Sequence, residues 1–311
     1  MKIFSWNLQG LGNPWTVRAL KLFIKNNSPD IFFFMETKLM SNEFSSICST
    51  FSSFNCFVVD ADGRRGGLVL FWRKQIDVRI SNSSSNHIDF AVMDVEADLR
   101  WRGVGVYGWP ESQNKHRTCE LVKSFSGGIN QALLLFGDFN LYLHHDEKEG
   151  GRRSDEREMA SFRDAMDTCS VVDLGHSGGT YTWSNGRKNN DLVQIRLDRF
   201  LSNNQWRESY PEWGVVHLTR FKSDHCPIVL NTSSPIVSHR GGKGSQIFRF
   251  EQMWMTHDLF DEAVYSAWND SCGYETEFMG RMEACGASLK DRAYSNFDNL
   301  SKQMKKKLAE L

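Results

Sequence analysis

Residues 2–36 read KIFSWNLQGLGNPWTVRALKLFIKNNSPDIFFFME, and the order of patterns in this stretch decides the fold. Lys2 to Asn7 reads as a strand. A Gly-rich turn follows (Gly10, Gly12, Asn13). Pro14 then opens a segment whose apolar residues Val17, Leu20, Leu22, Phe23 and Ile24 fit a helix, because proline is preorganised for a first helical turn. Ser28-Pro29-Asp30 stops it. Ile31 to Met35 is an unbroken apolar run, the pattern of a strand buried on both faces. Strand, helix and strand in succession imply an α/β layer architecture.

Outward from this unit the chain is richer in strands. Cys56–Asp60, Gly67–Trp72, Ile76–Ile80, His87–Glu96, Trp101–Tyr107 and Ala132–Gly137 are short apolar or alternating runs. Turn signals such as Asp62-Gly63 and the polar stretch Ser81–Asn86 separate them. Helical patterns fall at Asn114–Phe125 and Asp155–Asp167. Further strands are expected at Thr180–Trp183, Gly214–Leu218 and Pro227–Leu230. Many strands with few helices predict two packed sheets with helices outside. After Leu230 the composition changes: residues 233–246 carry Ser233-Ser234-Pro235 and Gly241-Gly242-Lys243-Gly244 and read as a linker. Residues 247–311 read as a helical extension. Its stripe (Phe278, Met282, Cys285, Leu289, Ala293, Phe297, Leu300, Met304, Leu308) would fold onto the core, pair with a partner, or mark a piece of something longer.

The 311 residues carry 37 Lys+Arg against 38 Asp+Glu, a formal net charge of −1, which excludes a polycation that grips nucleic acid by bulk charge. No run of about 18 apolar residues suggests a membrane-spanning helix. Seven scattered cysteines without a CxxC pair, and no signal-peptide pattern, lead us to expect free thiols in a reducing compartment.

Polar residues end several apolar runs: Asn7, Glu36, Tyr107, then Asp138 and Asn140 in i, i+2 register, Asp198 within Arg196–Arg199, and Asp224-His225 within Ser223–Pro227. If these strand ends meet, four carboxylates, two amides, a Tyr and a His share one cleft, which is costly unless a cation compensates. Oxygen donors with amide and imidazole neighbours suit Mg²⁺ or Mn²⁺, and the chemistry suggested is metal-assisted hydrolysis of a phosphate ester. His144-His145-Asp146 looks like a metal trio, but adjacent residues rarely converge on one ion, so a loop role is favoured. The turns Arg64-Arg65-Gly66-Gly67 and Gly150–Arg153 are solvated loops or phosphate contacts. Trp183 and Trp213 pack in the core or stack on a base.

Taken together, SWN, METK, VYG, GDFN, RLDRF and SDHCPI resemble, in order, the endonuclease/exonuclease/phosphatase superfamily from about Met1 to Leu230. SWNLQGLGNP, FFFMETKL, GGLVLFW, HHDEKEGG, TYTWSN and RLDRFLSN further resemble the endonuclease domain of plant LINE-type (non-LTR) retrotransposon polyproteins. FRFEQMW resembles the connector toward their reverse transcriptase. The resemblance implies a four-layer α/β sandwich over residues 1–232, with two mixed sheets flanked by helices. It also implies a Mg²⁺-dependent phosphodiesterase that nicks DNA in the nucleus, with the remainder of a polyprotein as partner. Implied roles are Glu36 as main metal ligand with Asn7 beside it, and Asp138 activating water with Asn140. His225 would be oriented by Asp198, Tyr107 would contact the phosphate, and Asp224 would support His225 or a second metal. Arg65, Trp183, Arg199 and Ser223 are the candidate substrate contacts. Gln9 departs from the metal-binding Asp of the repair nucleases of the superfamily, and Leu141-Tyr142 replaces a frequent Glu of plant relatives. A phosphoesterase acting on inositol or lipid phosphates, and a catalytically silent nucleic-acid-binding remnant, are the alternatives.

Overall fold

The computed structural model describes residues 1–12, 14–94, 99–126, 131–152, 156–233, 260–270 and 285. The chain begins β1 (Lys2–Asn7), α1 (Pro14–Asn27), β2 (Ile31–Met35), α2 (Ser41–Thr50), β3 (Phe54–Asp62), β4 (Arg65–Arg73), β5 (Asp77–Ser84), β6 (His87–Asp94) and β7 (Leu99–Tyr107). It continues α3 (Lys115–Ser124), β8 (Ala132–Asp138), β9 (Lys148–Glu149), α4 (Glu156–Thr168), β10 (Val172–Asp173), β11 (Ser177–Gly178), β12 (Trp183–Ser184) and β13 (Gln194–Ile195). Then come β14 (Asp198–Ser202), α5 (Asn204–Ser209), β15 (Gly214–His217) and β16 (Ile228–Asn231). These lie in a unit spanning Met1–Ser238; of a second unit, His239–Leu311, the helix α6 (Phe260–Asp270) is described. The 233–246 linker, apart from Ser233, and the helical stripe, apart from Cys285, lie outside the described residues.

Two sheets carry the fold. The seven-stranded one has the order β11-β15-β16-β1-β2-β4-β3 and the six-stranded one β10-β14-β8-β7-β6-β5. Both are mixed: β1 pairs β2 in parallel through α1, and β7 pairs β8 in parallel through α3, while β1–β16 and β8–β14 are antiparallel. Period-2 alternation sorts the side chains. Ile3, Ile31, Phe33 and Met35 from the first sheet and Phe90, Leu134, Phe136 and Phe200 from the second form one core between the sheets. The residues of opposite parity face outward: Phe4, Trp6, Phe32 and Phe34 pack under Leu20, Phe44 and Ile47 of α1 and α2. Val104, Val106, Leu133 and Leu135 pack under Val122 and Phe162 of α3 and α4. The result is four layers, helix–sheet–sheet–helix, as the sequence predicts. Phe33 and Phe136 meet edge to face across the inner layer, centroids 5.8 Å apart. Gly105 makes room for them, since a Cβ there would lie 2.8 Å from the Phe33 ring.

Four features differ from expectation. Helix α2 has the sequence SNEFSSICST, whose Ser and Thr residues favour caps and turns over helix interiors; burial of Phe44 and Ile47 overrides that propensity. Strand β5 runs on through the polar stretch to Ser84, with a bulge between Ile80 and Asn82, because an edge strand exposes one side to water. Strand β14 carries two charges, Asp198 and Arg199, yet every residue in it is buried. The strand expected at Thr180–Trp183 is only the two-residue β12. The six described cysteines are free thiols.

Arg199 is fully buried, and this corrects its assignment as a substrate contact. Its guanidinium donates to Glu147 (3.0 and 3.1 Å), to Asp173 (2.7 Å) and to the carbonyl of Arg196, whose own guanidinium reaches Glu147 and Asp173 at 2.8 Å. It therefore ties the loop before β9 to β10 and β14. Burial alone would raise both carboxyls, but the two arginines outweigh it and hold Glu147 and Asp173 at about 2. With folded values below the unfolded ones of 4.5 and 3.8, the network stabilises the protein above pH 4.5, and that stability is lost as pH falls toward 2. Arg199→Ala leaves Glu147 and Asp173 with Arg196 as the one remaining guanidinium partner and is expected to cost about 3 kcal/mol in urea unfolding at pH 7. The loss should shrink when unfolding is repeated at progressively lower pH. A urea midpoint unchanged by the substitution would contradict the role assigned to this network.

Candidate active site

The inner faces of the two sheets end in polar residues of the same parity as the core. Along β1, Ile3 and Ser5 lead to Asn7; along β8, Leu134 and Phe136 lead to Asp138. Register then fixes the neighbours: Asp138 stands opposite Tyr107 of β7 on one side and Asp198 of β14 on the other. Glu36 follows β2, whose Met35 stands opposite Asn7. His225 precedes β16, the other neighbour of β1. Sheet pairing thus gathers residues more than 200 positions apart.

The contacts are specific. Asn7 Nδ2 donates to Glu36 Oε1 and to Asp138 Oδ2, each at 3.1 Å, so one amide spans two carboxylates. Tyr107 donates its hydroxyl to the same Glu36 oxygen at 2.8 Å. Asn140 donates its backbone N–H to Asp138 Oδ1 (2.9 Å) and its side-chain amide to Asp138 Oδ2 (3.3 Å) and the Gly108 carbonyl (2.9 Å). His225 Nδ1 lies 2.8 Å from Asp198 Oδ2, and its Nε2 lies 3.6 Å from Asp138 Oδ2. Asn7, Asp138, Asp198 and His225 are buried, whereas the Glu36 side chain keeps 18% of its surface and has Lys38 Nζ at 3.5 Å. Gln9, Glu36, Lys38 and Asn140 all adopt left-handed φ between 51° and 56°. Four such residues around one pocket hold strain of about 1–2 kcal/mol each, as functional loops commonly do.

Electrostatics assign the proton. Burial alone would lower His225, but the carboxylates of Asp198 and Asp138 outweigh it and hold the imidazole well above its ordinary 6.5. Burial raises Asp138 above the usual carboxylate range; His225 opposes this and Asp198 adds to it. Burial, then the Glu36 and Asp138 charges, push Tyr107 far up, so it remains a hydroxyl donor. Asp138, Asp198 and His225 offer ligand atoms within 4.8 Å of one another, a spacing that can hold a metal ion. That requires a neutral His225; protonated, the imidazolium is itself the cation that balances the pair and has no lone pair to give. Glu36, bonded to the Asn7 amide, offers the other set of hard oxygen donors, which fit a divalent cation such as Mg²⁺ or Mn²⁺.

Other sequence candidates take different places. Asp224 Oδ2 accepts from Gln9 Nε2 and from Trp183 Nε1, both at 2.8 Å, so this oxygen is committed to two N–H donors. The Trp183 ring packs against the cluster of Tyr142, Met159 and Leu197. Ser223, expected as a substrate contact, is half-buried, and its hydroxyl donates to the Asn7 carbonyl (2.7 Å) and accepts from the His225 N–H (3.1 Å). Arg65 is exposed on the hairpin whose Gly66 and Gly67 carbonyls accept from Lys38 and Thr37, beside Glu36. His144, His145 and Asp146 are exposed, with His145 3.1 Å from Glu156, consistent with a loop. Trp213 packs against the inner core. Sequence reasoning missed three supports. Thr182 Oγ1 accepts from the N–H groups of Leu197 and Asp198, Trp6 Nε1 donates to the His225 carbonyl, and Asn86 exchanges bonds with the Tyr107 backbone. Nothing local distinguishes Thr182 or Asn86; Trp6 is signalled only by its place beside Asn7.

Two mixed sheets packed face to face beneath helices, with a polar pocket at their common end, define a DNase I-like α/β sandwich. The endonuclease/exonuclease/phosphatase family model matches residues 4–225, and the chain belongs to that family, which implies a metal-dependent hydrolase acting on phosphodiester bonds. Among solved structures, the AP endonuclease LMAP from Leishmania major is 19% identical at a TM-score of 0.60, over 74% of this chain and 86% of that one. The 3′-5′ exonuclease NExo from Neisseria meningitidis is 20% identical at a TM-score of 0.54, over 74% and 99%. The endonuclease domain of TRAS1, a telomere-specific non-LTR retrotransposon, is 15% identical at 0.55, over 74% and 97%. No curated protein matches the chain.

The site yields a direct test of its charge state. In an NMR titration the His225 ring should change protonation well above the range of free histidine, and Asp198→Asn should bring that transition down by about one to three pH units. A wild-type ring titrating at or below its ordinary value would contradict the proposed imidazolium.

Proposed function

We propose that this protein is a Mg²⁺-dependent DNA endonuclease of the non-LTR retrotransposon type, nicking one strand of a target duplex to leave 3′-hydroxyl and 5′-phosphate ends. The observation that carries the reading is the bonded series Glu36–Asn7–Asp138 facing His225–Asp198 across the two sheets. The plant LINE-type motifs and the fold shared with the TRAS1 endonuclease domain support the retrotransposon assignment. In that setting the nick would prime reverse transcription in the nucleus, with a reverse transcriptase supplied by the same polyprotein.

Glu36, with Asn7 beside it, would hold the divalent ion, which when bound supplies Lewis-acid stabilisation of charge on the phosphate. The chain's own groups do the rest. Asp138, held by Asn7 and Asn140 and made more basic by burial, orients the attacking water and takes its proton on a carboxylate oxygen. His225 Nε2–H lies beyond hydrogen-bonding distance from Asp138 and is positioned to donate to a phosphate oxygen as negative charge grows. Asp198 fixes the ring through Nδ1 and sustains its proton. Tyr107 contributes a second donor, a hydroxyl, beside Glu36.

Supercoiled plasmid should be converted to the open circle with Mg²⁺ and not with EDTA. His225→Ala should lower the rate by about 10²–10³. Asp198→Ala should lower turnover by about 10²-fold with an unchanged circular dichroism spectrum. Absence of nicking by folded wild-type protein would overturn the reading, and release of phosphate from inositol phosphates in its place would point to the other branch of the family.

A further inference from the structure

Beyond the catalytic groups, the loop that leaves Tyr107 carries a feature with no role in the chemistry above. Gly108 is locked against the Asp138–Asn140 turn: its N–H donates to the Asp138 carbonyl at 2.7 Å and its carbonyl accepts from Asn140 Nδ2 at 2.9 Å. A Cβ on Gly108 would lie 2.1 Å from the Phe139 carbonyl oxygen, so only glycine permits this approach. Trp109 comes next. Its N–H donates to Thr118 Oγ1 of α3 at 3.0 Å, and Thr118 is itself fully buried. The guanidinium of Arg117 lies over the Trp109 ring, 4.9 Å from its centroid. Arg117 is exposed and, among the described residues, has no ion pair.

Placement and charge both need a reason. The Cα of Trp109 is within about 7 Å of that of Tyr107 along a backbone pinned at Gly108 and Trp109, so the residue that carries the stack is held two positions from Tyr107. A guanidinium on an aromatic face keeps its in-plane N–H groups free for a planar or tetrahedral anion while its stem is held. Elsewhere in this chain the arginines with structural roles meet carboxylates: Arg196 and Arg199 with Glu147 and Asp173, and Arg102 with Asp89. Arg117 instead presents its charge to solvent. With Arg65, also exposed, on the hairpin beside Glu36, exposed cations stand on a hairpin of the first sheet and on α3, which packs on the second.

We propose that the Trp109–Arg117 stack is a phosphate clamp that seats duplex DNA beside the scissile phosphodiester, through a backbone phosphate flanking it. This inference rests on the DNA-nicking reading above and specifies how that site holds its substrate. The clamp adds affinity and fixes the position of the strand without reading its sequence, because phosphate contacts carry no base information.

The test is equilibrium binding of the full chain to a labelled duplex in EDTA, followed by fluorescence anisotropy across a salt series, so that cleavage plays no part. Arg117→Ala should weaken binding about tenfold and reduce the slope of log affinity against log salt by about one, equally for unrelated duplex sequences. Arg117→Lys should restore the slope while recovering only part of the affinity, since charge survives and the stacked plane does not. Arg79→Ala, which removes an exposed cation on the outer strand β5, should leave both unchanged. If wild-type protein binds and nicks DNA but Arg117→Ala matches it in affinity and slope, the clamp is refuted while the nuclease reading stands. If wild-type protein binds no duplex, both fall.

Discussion

The site depends on one constraint: two sheets must meet at a common end with both inner faces polar there. Asn7 of the first sheet donates to Asp138 of the second, and His225 beside the first is held by Asp198 of the second. These bonds close the end of a core that is otherwise aromatic and aliphatic. Buried carboxylates are tolerable only because each has a donor or a cation facing it, and the imidazolium supplies the cation. The polar cluster is a continuation of the core and obeys the same period-2 alternation. Moving one strand by a single residue would turn its polar terminal side chain toward the helices.

The chemistry follows from how that cluster divides charge. Burial and like charge make Asp138 a better proton acceptor, while two flanking carboxylates keep His225 protonated. In the proposed reaction these two groups, 3.6 Å apart and each tuned by the other, would serve as acceptor and donor of protons. Glu36 sits at the more open edge, where an ion can reach it. The second charge cluster, around Arg199, pairs Glu147 and Asp173 each with both Arg196 and Arg199. Composition alone does not separate the two clusters; their partners do, guanidinium groups in one and an imidazole, amides and a hydroxyl in the other.

The loops around the pocket are held rather than loose. Left-handed φ at Gln9, Glu36, Lys38 and Asn140 bends each chain sharply as it leaves its strand. Backbone bonds from Thr37 and Lys38 to the β4 hairpin, and from Gly108 to Asp138, keep those bends in place. Such preorganisation lets donors face the charge that develops in a reaction without rearranging first.

Much of this was legible in sequence. The apolar run Ile31–Met35, the proline-initiated helix before it and the polar residue closing each run gave the layer architecture and named Asn7, Glu36, Tyr107, Asp138, Asp198 and His225, because alternation and strand ends are local properties. What lay beyond reach depended on pairing between distant segments. Arg199 and Ser223 carry the residue types of substrate contacts, and only register shows one enclosed by Glu147 and Asp173 and the other spent on Asn7 and His225. Helix α2 was hidden because burial, not propensity, forms it, and Thr182 because a threonine that accepts two backbone N–H groups looks like any other. Sequence determined which side chains could do chemistry; the packing of two sheets decided which of them face one another, since hydrogen bonds and ion pairs exist only where folding brings their partners within a few ångströms.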